Sequence, residues 1–175
     1  MGKDLGRVHV LTGPGKGKTT AAFGLALRAA GHGLRVCVVQ FMKTGMTTGE
    51  TVAAKRIREI QVFQFGTGRF LDPKKITDDD RRCAREAMDQ ARSLLDKGSC
   101  DVLVLDEVNM AAYYGLVEVS AVLSLLKSRK ESVEVVLSGR NAPQELIDIA
   151  DYVSYIDNRK HPFKEGQKAR QGIEW

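Results

Sequence analysis

A glycine-rich stretch near the N-terminus, TGPGKGKTT, could hold the phosphates of a nucleotide. Alternating glycines let the backbone turn sharply and point N–H groups inward, and such a nest ahead of a helix binds phosphate. Lys18 adds a positive charge, and the hydroxyl of Thr19 can ligate Mg²⁺. The usual loop has glycine where Thr12 stands, and here the glycine comes one place late, at Gly13. We predict that the whole loop binds nucleotide, through Thr12, Gly13, Pro14, Gly15, Lys16, Gly17, Lys18, Thr19 and Thr20.

Two carboxylates and one guanidinium are the other candidates for a nucleotide site. Asp106 and Glu107 follow the apolar run VLVL, and carboxylates at a strand end can hold magnesium directly or through water. Acids that simply start a helix are the alternative, but beside a phosphate loop we favour a magnesium–nucleotide site. Arg140 ends the run VVLSGR and could reach phosphate with its planar fork, or form a surface salt bridge instead.

The elements that must position these residues alternate along the chain. Short β-branched runs predict strands, and stretches between them predict helices. Thr77 followed by three aspartates predicts the start of a long helix, and Gly98 predicts its end. The predicted fold is α/β, a mostly parallel sheet of about six strands flanked by helices, with a P-loop (RecA-like) architecture. Ligands of such sheets bind at the carboxyl ends of the strands, where all the candidate residues lie. The predicted strands are 7–12, 34–41, 60–65, 101–107, 132–140 and 151–157, and the predicted helices are 19–31, 50–59, 78–97, 119–130 and 143–150.

Composition favours an ordinary globular protein. With 175 residues, 43% hydrophobic and 28% charged, the chain is predicted to form one domain over residues 1–175. No apolar run approaches the roughly 18 residues of a membrane helix, and the N-terminus lacks the apolar stretch of a secretion signal, so we expect a cytoplasmic protein. Basic residues are mixed with acidic ones, which argues against a nucleic-acid partner. Three cysteines, Cys37, Cys83 and Cys100, are predicted to be buried free thiols.

Taken together, the motifs resemble the P-loop ATP:corrinoid adenosyltransferases, also called cob(I)yrinic acid a,c-diamide adenosyltransferases. The resemblance covers nearly the whole chain, and its first and last segments are specific to that family. The matching segments are TGPGKGKTTAAFG, VVQFMK with GE after it, FGTG, VLDEVNMAAYYGL, LSGRNAPQELIDIADYVS and KHPFKEGQKARQGIEW. The resemblance implies that ATP lies reversed, with its γ-phosphate where the loop usually holds the α-phosphate. Co(I) of a reduced corrinoid then attacks C5′ of the ribose, and the triphosphate leaves.

The resemblance also implies roles for particular residues. Lys18 and Glu107 are predicted to be catalytic, and Mg²⁺ accompanies ATP as co-substrate, with Thr19, Glu107 and Asp106 as its ligands. Arg140 is predicted to join the nucleotide site. The corrinoid, which is the other substrate, is predicted to meet Phe70, Arg69 and Met42. Phe70 is the one aromatic residue of FGTGRFLDPKK that follows the TG and could block the lower face of the corrinoid.

The resemblance extends to partners and to how the site is covered. Relatives are typically dimers, so a homodimer is expected, with a flavoprotein as a possible reductant. Better-known relatives carry a longer N-terminal segment over the active site, whereas here the first predicted strand begins by about Arg7. Either this site is more open or another segment covers it.

Three other functions compete with this interpretation. A small-molecule kinase or other P-loop phosphotransferase would release ADP, and Thr12 and the C-terminal motif argue against it. A RecA-like motor would need a basic track for nucleic acid and salt-sensitive binding. A non-catalytic carrier would bind ATP and corrinoid but form no cobalt–carbon bond.

Overall fold

The fold is built on six parallel strands in a single sheet, seen in a computed structural model that describes residues 5–45, 48–69, 71–162 and 166–174. In chain order the elements are β1 (Val8–Thr12), α1 (Lys18–Gly31), β2 (Val36–Phe41), α2 (Gly49–Ala54), β3 (Ile60–Phe65), α3 (Asp78–Asp96), β4 (Val102–Asp106), α4 (Val108–Tyr113), α5 (Val119–Ser128), β5 (Glu134–Ser138), α6 (Gln144–Asp148) and β6 (Tyr152–Tyr155). The strand order in the sheet is β3-β2-β4-β5-β1-β6. The predicted parallel α/β sheet is therefore confirmed, and it is consistent with a P-loop architecture.

Two hydrophobic cores cover the two faces of the sheet. Side chains along a strand alternate between faces, so Val36 and Val38 of β2 enter one core and Cys37 and Val39 enter the other. The first core includes α1 and the end of α2, and the second includes α3, α4, α5 and α6. Because the central strands are covered on both faces, their sequences are almost continuously apolar. The three cysteines are buried and free, as predicted.

Local capping sets the bounds of α3. The Thr77 hydroxyl accepts a hydrogen bond from the Asp80 N–H, while the Asp80 carboxylate accepts one from the Thr77 N–H at 2.8 Å. Gly98 follows the helix with φ of 61°, a left-handed conformation that glycine adopts without strain. The predicted start at Thr77 and end at Gly98 are confirmed.

Two helices differ from the prediction. Instead of running over 50–59, α2 ends at Ala54, where the N–H groups of Arg56 and Ile57 bond three residues back and the chain tightens into a turn before β3. Helix α4, over Val108–Tyr113, was not predicted because six residues are too few to show a helical period. Within the part of the chain that the structure describes, no helix combines the length and apolar character needed to cross a bilayer.

Candidate active site at the carboxyl edge of the sheet

The glycine-rich loop lies tightly against the segment that follows β6. The Gly15 N–H donates to the Ile156 carbonyl at 2.8 Å. A Cβ on Gly13 would lie 2.5 Å from the Ile156 carbonyl oxygen, and one on Gly15 would lie 2.5 Å from that of Asp157. Gly13 also has φ of 99°. Both glycines are therefore required by space, and Gly13 by backbone conformation as well.

Thr12, the unusual residue of the loop, is the last residue of β1 and is buried. Its hydroxyl accepts a hydrogen bond from the Ala142 N–H at 3.2 Å. The threonine thus ties the start of the loop to the turn after β5, a contact that glycine could not make. Because its side chain is used in this way, a direct nucleotide contact by Thr12 stays a prediction.

Lys18 folds back over the loop. Its ammonium donates to the carbonyl oxygens of Gly13 at 2.7 Å and Gly15 at 2.5 Å, and the residue is 7% exposed. Burial lowers the pKa of Lys18, and the positive charge of Arg140 lowers it further, while Glu107 acts in the opposite direction. Lys18, Glu107 and Arg140 all line one cleft, which joins the three predicted groups in one site.

Asp106 is the centre of a buried polar network. One carboxylate oxygen accepts from Ser138 at 2.6 Å and Thr19 at 3.0 Å, and the other accepts from Lys43 at 2.8 Å and Gln40 at 2.9 Å. Burial alone would raise the pKa of Asp106, but the Lys43 charge and these hydrogen bonds lower it overall, so the carboxylate is ionised.

The parallel register explains how this network is assembled. Gln40 of β2 is paired with Asp106 of β4 and with Gln64 of β3. The side-chain nitrogen of Gln64 donates to the side-chain oxygen of Gln40 at 2.9 Å. Ser138 ends β5, on the other side of β4. Gln40, Lys43 and Ser138 were not predicted to be site residues. The one available signal was a polar residue inside an otherwise apolar strand, as in VVQF.

The carboxylate of Glu107 differs from that of Asp106 in its hydrogen bonding and in the direction of its pKa shift. No described residue donates a hydrogen bond to its carboxylate, and burial, followed by the charge of Asp106, raises its pKa. Its N–H donates to the Ser138 hydroxyl at 3.1 Å, and its φ of 65° is left-handed, which costs a non-glycine residue about 1–2 kcal/mol. The strained backbone carries a free carboxylate into the site, a pattern typical of functional residues.

Glu107 is one of three left-handed residues at this edge of the sheet. Among the described residues other than glycine, positive φ occurs at Met42, Glu107 and Asn141, with φ of 57°, 65° and 52°. They follow the ends of β2, β4 and β5, which are adjacent strands. Strain of this kind persists only where the surrounding structure enforces it, so it marks this edge as the functional one.

Two clefts open at the same edge and share a wall. The loop cleft, of about 500 Å³, is lined by residues 16–20, 48–50 and 172–174 with Phe23, Lys43, Glu107 and Arg140. The apolar cleft, of about 580 Å³, is lined by Phe41, Met42, Leu71, Met110 and Tyr114 with Lys43, Thr44, Gly68, Arg69, Glu107 and Arg140. Lys43, Glu107 and Arg140 belong to both. The geometry suits two ligands, one anionic and one with a large apolar surface, that meet at this wall.

The oxygen donors at the loop cleft fit a magnesium ion. Thr19, Asp106 and Glu107 offer only oxygen ligands, as Mg²⁺ prefers, and the Glu107 carboxylate is available. Within the described ranges, no three His, Cys, Asp or Glu side chains are grouped so that they could hold a metal by themselves. A magnesium ion here would therefore take its remaining ligands from water or, when a nucleotide is bound, from phosphate oxygens.

The residues predicted to meet the corrinoid fall on the apolar cleft where they are described. Met42 and Arg69 both line it. Arg69 is fixed from behind because its guanidinium donates to the Asp80 carboxylate and to the Thr77 hydroxyl at the start of α3. Phe70 lies outside the described residues.

The C-terminal segment reaches the phosphate loop. The Lys16 ammonium donates to the Ile173 carbonyl at 3.1 Å and to the Glu174 carboxylate at 3.2 Å, and Glu174 also pairs with Arg170. Residues 172–174 form part of the loop cleft. The C-terminal segment thus contributes one wall of the loop cleft.

The chain is similar to one family of known proteins over almost its entire length. The family model described as ATP:corrinoid adenosyltransferase BtuR/CobO/CobP matches residues 4–175. A corrinoid adenosyltransferase of Sinorhizobium sp is 39% identical over 97% of this chain and 80% of the relative. The corrinoid adenosyltransferase of Escherichia coli (strain K12) is 37% identical over 97% of this chain and 86% of the relative. Corrinoid adenosyltransferase CobA of Salmonella typhimurium is 37% identical over 99% of this chain and 87% of the relative. The predicted resemblance is confirmed.

Proposed function

The chain belongs to the ATP:corrinoid adenosyltransferase family, and on that premise we propose that it transfers the 5′-deoxyadenosyl group of ATP to the cobalt of a reduced corrinoid. The reaction would serve adenosylcobalamin biosynthesis or salvage. The observation that carries the proposal is the wall shared by the loop cleft and the apolar cleft. Two substrates that react directly must meet, and this wall is where a nucleotide on the loop and a corrinoid in the apolar cleft would do so.

The chemistry asks for positioning more than for proton transfer. Co(I) supplies the electron pair of the new cobalt–carbon bond, and the triphosphate leaves with the electron pair of the broken C5′–O bond. The nucleophile has no proton to lose, so no general base is needed. The protein's tasks are in-line placement of C5′ under the cobalt and stabilisation of the charge that grows on the leaving group.

The charges around the loop cleft support the second task. We propose that ATP lies reversed, with its γ-phosphate deepest in the loop and C5′ directed at the shared wall. Lys18, whose ammonium bonds to two loop carbonyls, would exchange them for phosphate oxygens. Arg140 lines both clefts and would stabilise the phosphates closest to the reacting carbon.

Glu107, Thr19 and Asp106 are proposed to form the magnesium site, though not all as direct ligands. When bound, Mg²⁺ neutralises phosphate charge and so makes the triphosphate a better leaving group. Glu107 is proposed to be a direct ligand because its carboxylate accepts no hydrogen bond from a described residue. Asp106, with both oxygens already bonded, is better suited to orienting the Thr19 hydroxyl, which donates to it at 3.0 Å.

The remaining predictions form part of the same proposal. Met42, Arg69 and Phe70 are proposed to contact the corrinoid, the first two because they line the apolar cleft. We propose a single domain over residues 1–175, a cytoplasmic location, a homodimer and a flavoprotein reductant, with no nucleic-acid partner. The composition and charge pattern of the sequence support the first two and the last of these proposals, and the resemblance to the family supports the homodimer and the reductant.

One incubation tests the function. The protein is mixed with ATP, Mg²⁺ and chemically reduced cobalamin, the loss of Co(I) absorbance is followed, and the phosphate products are separated. Adenosylcobalamin and inorganic triphosphate are expected in equal amounts. Accumulation of ADP would instead support a phosphotransferase, the alternative that the family relationship does not favour. Binding of both substrates without a cobalt–carbon bond would support a carrier.

A further inference from the structure

Lys43 occupies an unusual place in the site. Its ammonium lies 2.8 Å from one carboxylate oxygen of Asp106 and 3.5 Å from the Thr19 hydroxyl oxygen. Those two residues belong to the proposed magnesium set. The positive charge of Lys43, which was not predicted to belong to the site, therefore lies between two groups of the proposed magnesium site.

The ion pair between Lys43 and Asp106 stabilises the buried carboxylate when no metal is bound. Asp106 is fully buried, and among the ion pairs between described residues it takes part only in the one with Lys43. A buried carboxylate without a counter-ion is strongly unfavourable. Lys43 supplies that counter-ion, while Ser138 and Gln40 complete the hydrogen bonding of the two oxygens.

A magnesium ion and the Lys43 ammonium would compete for the same place. Magnesium binds its oxygen ligands at about 2.0–2.1 Å, and the Lys43 nitrogen lies 3.5 Å from the Thr19 hydroxyl oxygen. An ion on that oxygen would therefore lie no more than about 6 Å from the nitrogen. Like charges at such a distance repel strongly inside a protein. Either the lysine moves away or the ion is excluded.

Lys43 has room to move. It follows β2 directly after Met42, and its side chain, 19% exposed, lines both the loop cleft and the apolar cleft. Rotation about its side-chain bonds would carry the ammonium from Asp106 towards the shared wall without any change in the strand. In contrast, Gln40 and Ser138 are fully buried and fixed within the sheet.

We propose that Lys43 is an exchangeable counter-ion, whose ammonium holds Thr19 and Asp106 in the metal-free protein and leaves Asp106 when a divalent cation binds. The exchange would keep Asp106 paired in both states and preserve the geometry of Thr19 before the nucleotide arrives. The inference rests on the proposed function only through the magnesium ligands. Lys43 acts here as a positioning residue.

The test measures binding of Mn²⁺ alone, without nucleotide or corrinoid, from the electron paramagnetic resonance signal of the free ion. Mn²⁺ accepts the same oxygen ligands as Mg²⁺. Lys43→Met removes the competing charge and keeps the length of the side chain, so it should bind Mn²⁺ about tenfold or more tightly than the wild type. Lys43→Arg keeps the charge and should bind no more tightly than the wild type.

Lys16→Met is the matched control. Lys16 also lines the loop cleft, but it pairs with Glu174 instead of Asp106. If Lys16→Met gains as much affinity as Lys43→Met, the effect is general electrostatics and the exchange is overturned. Unchanged or weaker Mn²⁺ binding by Lys43→Met also overturns it.

A second measurement on the wild type keeps the proposal testable if Lys43→Met does not fold. Lysine side chains are labelled by a short pulse of reductive methylation and located by mass spectrometry, with and without saturating Mn²⁺. The exchange predicts that Lys43 is protected without metal and becomes labelled with it. A Lys43 that stays protected in both would identify a permanent ion pair. Neither measurement depends on the transfer reaction, so an inactive transferase would leave both outcomes readable.

Discussion

The sharpest stability prediction concerns the glycines of the phosphate loop. Two different effects act on them, and the structure separates the two. At Gly15 the backbone is not left-handed, but an added Cβ would lie 2.5 Å from the Asp157 carbonyl oxygen and 2.7 Å from that of Ile156. At Gly17 the φ is 113°, but no atom lies within 4 Å of the added Cβ. Gly13 combines both effects.

The magnitudes follow from these two effects. Gly15→Ala should lower the free energy of unfolding by about 1–3 kcal/mol, as overpacking does, because the neighbouring atoms belong to the backbone and must shift. Gly17→Ala should lower it by about 1–2 kcal/mol through backbone strain alone. Gly13→Ala should lower it by about 2–5 kcal/mol, the sum of the two effects.

Gly24 provides the matched control. It lies on the exposed side of α1, without positive φ and with no atom within 4 Å of an added Cβ. Gly24→Ala should therefore raise the free energy of unfolding by about 0.5–1 kcal/mol. Urea unfolding followed by circular dichroism measures all four variants, and calorimetry of ATP binding shows whether Gly15→Ala also displaces the loop. If Gly15→Ala or Gly13→Ala were as stable as Gly24→Ala, the close approach of residues 156–157 to the loop would be wrong.

Three further predictions address the chemistry and the corrinoid side. Lys18→Ala should lower the rate of adenosyl transfer at saturating ATP by roughly 10²-fold or more, as loss of one charge-stabilising donor does. The rate is measured from the loss of Co(I) absorbance, and an unchanged rate would rule out the proposed role of Lys18. Glu107→Gln keeps the shape but weakens a metal ligand, so the Mg²⁺ concentration needed for ATP binding should rise by about 10–100-fold by calorimetry, and an unchanged requirement would remove Glu107 from the metal site. Asp80 is buried, which by itself would raise its pKa, but hydrogen bonds from Thr77 and Thr67 and the charge of Arg69 lower the pKa below its ordinary value of 3.8. The stability that the ionised Asp80 carboxylate contributes is therefore fully present above pH 3.8 and is lost as the pH falls through the lowered pKa. Asp80→Asn should lower the free energy of unfolding in urea by about 1–3 kcal/mol at pH 7 and by less at pH 3. An equal loss of stability at the two pH values would contradict this.

Much of the fold could be predicted because its determinants are local. The apolar runs of β2 and β4 identify central strands of a parallel sheet, since only strands covered on both faces are so continuously apolar. The bounds of α3 follow from Thr77 and Gly98, which act on the nearest turn of the helix. The short helix α4 was not predicted because its six residues are too few to show a helical period, and α2 was predicted too long because its end depends on the turn into β3.

The family could also be identified from sequence because its motifs are contiguous. The loop TGPGKGKTT holds its glycines, Lys18 and Thr19 within nine consecutive residues, and Asp106 and Glu107 are adjacent at the end of an apolar run. Residue types at fixed local spacing are sufficient to indicate which chemistry is possible.

Only the tertiary structure decided how those groups divide their work. Lys43 and Asp106 are 63 positions apart, and Thr12 and Ala142 are 130 apart, so no local pattern connects them. The register of β2 against β4 places Gln40 beside Asp106, and with Lys43, Ser138 and Thr19 it provides hydrogen bonds to both oxygens of that carboxylate. The left-handed backbone at Glu107 instead directs a carboxylate into the site that accepts no hydrogen bond from a described residue. Two adjacent acids with the same apparent role in sequence thus acquire different ones, because strand pairing and burial, which are set by the whole sheet, determine which oxygens are already bonded.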